Sequence, residues 1–232
     1  MKKISFVLSA LLISTLTFAQ TAEEVVANYV KAVGGKDAIA QIKDLTMNMT
    51  GEVQGQSLEI LYQKKPANKF IQTVSIAGMG EVSKTVCDGT KAQVGGMQGS
   101  QDITDAEKVK AISMQGLIVP EASYGEMGAK LTYIGKEKVG EVEAHKIEVT
   151  VGETKMLEFY DVATGLKIRQ IISAETPMGK QDVTSDFSDY KDVSGVKIAH
   201  KISQDLGMMQ LALTATKIQA NTNLADALFT IN

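Results

Sequence analysis

The sequence predicts a mainly β fold with some helix (α+β): a barrel or strongly curved antiparallel sheet with an N-terminal helix and a short covering helical segment. Three observations carry this expectation. A stretch with helical apolar spacing follows residue 20, a long series of short segments alternates apolar with polar residues, and glycine-rich or Asp/Asn-bearing turns separate most of them. Many short strands, wet on one face and apolar on the other, are stable only when the apolar faces curl onto one another or are covered.

The helix has a start signal and a stop signal. Thr21-Ala22-Glu23-Glu24 reads as a capping box, Val25, Val26, Tyr29, Val30 and Val33 recur at helical spacing, and Gly34-Gly35 ends the run. A shorter helix is expected over 37–43. Leu45, Met47, Met49 and Val53 then alternate with Thr46, Asn48, Thr50 and Glu52, the first of many strands. Others are expected over 58–62, 70–76, 82–86, 91–94, 131–134, 145–151, 156–161, 166–172, 181–190, 196–203 and 209–218, with 189–195 as a polar, turn-prone approach to Val196.

One stretch breaks the alternation. Thr104-Asp105-Ala106-Glu107 reads as a second capping box, and Val109, Ile112 and Met114 ride a short helix behind it. Gly116-Leu117-Ile118-Val119-Pro120 and a glycine-broken piece to Gly128 follow. An apolar segment with so little regular structure has to pack on something. It either covers the open end of the sheet or serves as a movable lid.

The N-terminus reads as a secretory signal peptide over residues 1–19. Lys2 and Lys3 precede the apolar run Ile4 to Leu16, and Thr17-Phe18-Ala19 supplies a small-x-small cleavage site. Gln20, where a lipoprotein would need cysteine, leaves no stable membrane anchor, so residues 20–232 are expected to form one exported domain. Cleavage after Ala19 leaves 22 basic against 27 acidic side chains, a net charge of −5 that argues against nucleic acid and anionic membrane as partners. The lone Cys87 excludes an internal disulfide. Export without disulfides and a short bacterial-style leader together imply the periplasm.

Catalytic patterns are missing from the sequence. His145 shares an apolar row with Ile147, Val149 and Val151, and His200 one with Val196, Ile198 and Ile202, which is the pattern of core histidines with a satisfied hydrogen bond. No spaced cluster of metal ligands occurs, Cys87 has no base beside it, and Gly78-Met79-Gly80 and Gly95-Gly96 lack the strand–turn–helix context of a cofactor site. Asp186 and Asp189 read as solvated. The sequence therefore implies neither an enzyme nor a cofactor.

Several motifs resemble the LolA/LolB-like outer-membrane lipoprotein-sorting carriers. They are the helix ending Val33-Gly34-Gly35, the strand "YQKKPANKFIQTV" with Lys65, Pro66, Lys69 and Phe70, and the pair "CDGTKAQV". "FYDVATGLKIRQ", "DYKDVSGVKIAHKI" and the closing "NTNLADALFTIN" complete the set. The resemblance implies an unclosed antiparallel β-barrel with helices over its open side and a non-catalytic cavity for the acyl chains of lipoproteins or other lipids. Met47, Met49, Leu58, Ile60, Tyr62, Phe70 and Val74 would then line the wall. Ile112, Met114, Leu117 and Ile118 would form the lid, Leu131 and Tyr133 would also line the cavity, and Lys69 would be the basic residue near it. Because Met, Leu and Val fill cores as readily as they line cavities, a periplasmic protein-interaction or envelope-structural module with a fully packed core, with envelope proteins as partners, is the competing reading.

Overall fold

The computed structural model describes residues 20–176, 179–207 and 209–231; the expected leader lies outside them. Helix α1 (Ala22–Ala32) starts where the capping box places it. Thr21 Oγ1 accepts the Glu24 backbone N–H at 3.2 Å, and the Glu24 carboxylate accepts that of Thr21 at 3.0 Å. Ala22, Val25, Val26, Tyr29 and Val30 form its buried stripe. Helix α2 (Gly35–Gln41) begins two residues before the expected one, because Gly34 already turns the chain.

Thirteen antiparallel strands follow. They are β1 (Leu45–Val53), β2 (Gln56–Lys65), β3 (Lys69–Ile76), β4 (Gly80–Cys87), β5 (Ala92–Gly96), β6 (Gly99–Ile103), β7 (Lys130–Val139), β8 (Val142–Val151), β9 (Thr154–Asp161), β10 (Lys167–Thr176), β11 (Gly179–Val193), β12 (Val196–Asp205) and β13 (Gln210–Ala220). Their order in the sheet is β6-β5-β4-β3-β2-β1-β13-β12-β11-β10-β9-β8-β7, and β6 and β7 do not pair, so the barrel is unclosed. The first and last strands meet at the middle, Leu45 opposite Ala220. The chain leaves the sheet at one edge and re-enters it at the other.

Residues 104–129 therefore cross the open side, through helix α3 (Ala106–Met114) and a 3-10 turn (Pro120–Ser123). Asp105, not Thr104, caps α3, accepting the Lys108 N–H at 2.8 Å; the expected second capping box is not formed. Strand β6 carries no apolar alternation and is held by pairing with β5. Strand β11 runs on to Val193, past the point where the polar sequence suggested a turn.

The apolar interior has three parts. The largest packs α1 against Ile147, Val149, Met156 and Tyr160 of β8 and β9. A second joins Met47, Met49, Leu58, Ile60, Leu211 and Leu213, and a third sets Phe70, Cys87 and Ala92 beneath Val109 and Ile112 of α3. On the opposite face of β3 and β4, Phe229 of the C-terminal tail covers Ile71 and Val86. Asp44 fixes the start of that tail by accepting the Thr222 N–H and hydroxyl at 2.7 and 2.9 Å and the Leu224 N–H at 3.2 Å.

The corner between α1 and α2 sits on the turn before β12. The Val33 carbonyl accepts the Lys197 N–H at 2.7 Å, and a Cβ on Gly34 (φ +131°) would collide with the Gly195 carbonyl. Gly35 (φ +84°) has open space around it. Gly34→Ala is expected to cost about 3 kcal/mol, a drop in melting temperature of about 6–12 °C, against about 1 kcal/mol for Gly35→Ala. Thermal melts of the two variants check the difference, and equal shifts would show that the corner does not depend on that approach.

Candidate functional site: the covered interior

The crossing segment is seated on the sheet by close packing and by polar contacts. Gly116 lies so near the β2–β3 turn that a Cβ there would stand 2.6 Å from the Asn68 carbonyl carbon. Lys64 is in register with Leu45 and Phe70 on the interior row of β2, and its ammonium donates to the Leu117 carbonyl at 3.1 Å. Burial holds the Lys64 pKa down to about 8, with Glu121 pulling it up and Lys167 pushing it further down.

Beyond Lys64 lies a buried ionic cluster. Period-2 alternation puts Met156, Glu158 and Tyr160 of β9 on the interior face, and the β9–β10 register sets Lys167 opposite Tyr160 and Gln170 opposite Glu158. Glu158 is fully buried and accepts hydrogen bonds from three uncharged side chains as well as from Lys167. Tyr124 donates to Oε1 at 2.7 Å, Tyr160 to Oε2 at 2.5 Å, and Gln170 to Oε1 at 3.1 Å. The Lys167 ammonium pairs with Glu121 Oε1 and stands 3.4 Å from Glu158 Oε1. It also lies 5.9 Å from the Tyr29 ring and 5.2 Å from the Phe187 ring.

Burial lowers the affinity of Lys167 for its proton, but Glu121 and Glu158 outweigh it and raise the pKa. The Glu121 carboxyl is pushed up by burial and by Glu158 against the pull of Lys167. Burial and the same two carboxylates drive the Tyr29, Tyr124 and Tyr160 phenols well above their usual range, and Tyr190 to about 12. Glu121 and Tyr124 belong to the crossing segment, whereas Glu158, Tyr160 and Lys167 belong to the sheet. The cluster therefore clamps one to the other. Breaking such a pair from one side strands a buried charge at a cost of about 3–5 kcal/mol.

Beside this cluster, a cavity of about 500 Å³ opens between α1 and the 121–131 stretch, walled by Val26, Val30, Ala122, Ala129 and Leu131, with Glu121 and Tyr124 on its lining. Of the residues expected to line an acyl cavity, Leu131 borders this one. Met49 and Ile60 border another of about 420 Å³, whose other walls include Thr50, Glu59 and Thr73. Met47, Met49, Leu58 and Ile60 are brought together in one buried cluster, with Tyr62 and Val74 against it. Phe70 and Ile112 meet in the cluster under α3, while Met114, Ile118, Leu131 and Tyr133 pack against the α1 core.

Leu117 is half-buried and meets Lys64 through its carbonyl. Lys69 pairs with Asp226 of the C-terminal tail at 2.7 Å. His145 is buried with Nδ1 3.1 Å from the Tyr133 hydroxyl, and His200 lies with Nδ1 2.9 Å from the Ile198 carbonyl. Asp186 is not merely solvated: it forms a two-point pair with Arg169 at 2.5 and 2.7 Å.

The buried cluster went unread in the sequence. Lys64 and Glu158 each interrupt an apolar row, Leu58-Ile60-Tyr62-Lys64 and Met156-Glu158-Tyr160, and that misplacement was the available signal. Glu121 and Lys167 offered none, since their pairing spans 46 positions of the chain.

No protein-family model and no curated protein matches the sequence. Solved structures do match the fold. A DUF1329 family protein from Desulfovibrio piger superposes with a TM-score of 0.59 at 11% identity, over 91% of this chain and 98% of that one. A LolA superfamily protein from Nitrosomonas europaea gives a TM-score of 0.58 at 12% identity, over 92% and 99%. The architecture is a LolA-like open half-barrel, and identities this low speak of fold alone.

The shifted groups set the pH response. Lys64 releases its proton near pH 8 in the folded chain and near its ordinary 10.5 when unfolded, so its protonated form penalises folding below pH 8. That penalty is relieved as pH rises, worth about 2–3 kcal/mol by pH 10. The buried tyrosines have the opposite sign, because above about pH 10 they ionise only in the unfolded chain and stability falls. Urea titrations from pH 7 to 11 should show a rise followed by a fall, and Lys64→Met should remove the rise alone. A variant profile parallel to the wild type would contradict this assignment.

Proposed function

We propose that the protein is an exported periplasmic carrier, without catalytic activity, that buries the acyl chains of lipoproteins or other lipids beneath the crossing segment. The observation that supports this is the topology. Among the described residues, segment 104–129 is the connection that runs from β6 to β7, and its Ile112, Met114 and Ile118 are half-buried against the apolar rows of the sheet and α1. Displacing the segment would open those rows to an alkyl chain. One long acyl chain contributes about ten kcal/mol, at about 0.8 kcal/mol per CH₂, before the costs of association. Parting Glu121 from Lys167 subtracts about 3–5 kcal/mol. The balance favours reversible loading over permanent retention.

The filled clusters around Met49, Leu213 and Phe70 favour a second reading, a packed module that docks envelope proteins. Native mass spectrometry with organic extraction, on protein recovered without detergent, separates the two. Co-purifying phospholipid, fatty acid or acylated peptide is the carrier's expected result, and a mass unchanged after incubation with these species favours the packed module. In folded protein, Leu117→Asp and Ile118→Asp are each expected to weaken lipid retention at least tenfold. Intact retention in both would end the lid idea.

A further inference from the structure

The β2–β3 turn is gripped from both faces of the sheet. Alternation along β2 sends Lys64 inward and Lys65 outward, and the β2–β3 register sets Phe70 beside Lys64 and Lys69 beside Lys65. On the inner face Lys64 donates to the Leu117 carbonyl, and Gly116 lies against the backbone of Asn68 and Lys69. On the outer face the C-terminal tail takes the matching positions. Lys65 donates to the Leu224 carbonyl at 2.8 Å, and Lys65 and Lys69 pair with Asp226 at 3.1 and 2.7 Å. Phe229, 1% exposed, lies over Ile71 and Val86.

The turn itself needs that support. Ala67 (φ +63°) and Asn68 (φ +58°) are both left-handed, a conformation that side chains disfavour and that persists where the surroundings over-determine it. Loss of the grip on one face therefore alters what the other face holds. We infer that the C-terminal tail is an external latch: its docking on β3 and β4 acts through the β2–β3 turn to stabilise the seated position of residues 104–129 on the other side of the sheet. A partner that lifts the tail loosens the segment, and because such coupling is reciprocal, displacing the segment loosens the tail. The latch concerns how the segment is seated, so it goes beyond acyl carriage and does not depend on what the interior holds.

Amide hydrogen exchange followed by NMR, on protein without added lipid, tests the latch in both directions. Ile231 and Val109 of α3 border one cavity of about 640 Å³, so the segment is read instead at Gln115 and Leu117, beside the turn. Their amides are hydrogen-bonded to Ile112 and Met114, as those of Leu228 and Thr230 in the tail are to Ala225 and Ala227. In the full-length double variant Phe229→Ala with Asp226→Ala, exchange at Gln115 and Leu117 should quicken about tenfold more than in the interior of β9. Gly116→Ala, whose Cβ would stand 2.6 Å from the Asn68 carbonyl carbon, should quicken exchange at Leu228 and Thr230 beyond any change in β9. A rise at Gln115 and Leu117 no larger than that in β9 overturns the latch, and so does a tail that exchanges in Gly116→Ala as it does in the wild type. Should the double variant fail to fold, Gly116→Ala decides alone. Lipid enters neither measurement, so the latch and the carrier reading fail separately.

Discussion

Two carboxylates and two ammonium groups are buried where one crossing segment meets the sheet, and the seating of that segment depends on them. Glu158 alone draws donors from Tyr124, Tyr160 and Gln170, and Lys167 closes the set between Glu158 and Glu121. In a low-dielectric interior the attraction is strong, but so is the penalty for any member left alone. The seated position of the segment is the one in which these charges face each other. Partial lifting would strand a charge.

This makes the apolar contacts of the segment secondary in setting its position. Ile112, Met114 and Ile118 are half-buried and adaptable, and Met in particular fills irregular space without dictating geometry. The fixed points are polar or steric: the Leu117 carbonyl on Lys64, the close approach of Gly116 to Asn68, and Tyr124 on Glu158. Register on the sheet side comes from strand pairing, which sets Tyr160 and Lys167 across from each other without help from the segment.

Local structure was legible in the sequence wherever a local cause produced it. The box at Thr21 and Glu24, the helical stripe through Val30, and the rows of β1, β2 and β8 all follow from spacing alone. Strand β6 was not legible, because Gly99-Ser100-Gln101-Asp102 has no period and owes its conformation to β5. The charged members of the site were not legible for the converse reason. A lysine or glutamate within an apolar row reads as an exposed position until its partner is known, and these partners arrive from distant parts of the chain. The turn at Gly195 reads as a hairpin signal, yet its other task, receiving Gly34, depends on tertiary approach.

The pairing of β1 with β13 has a consequence for how the molecule is made. Leu45 finds Ala220 only when nearly the whole chain is available, and closing so long a loop carries an entropic cost that local hairpins avoid. The six-strand meander from β1 to β6 can form by neighbour-to-neighbour pairing, but until β13 arrives its β1 margin carries unpaired backbone groups beside Met47 and Met49. Such a margin is a template for other chains. The seam at the centre of the finished sheet is thus its most exposed boundary during assembly, and the last strand made is the one that protects it.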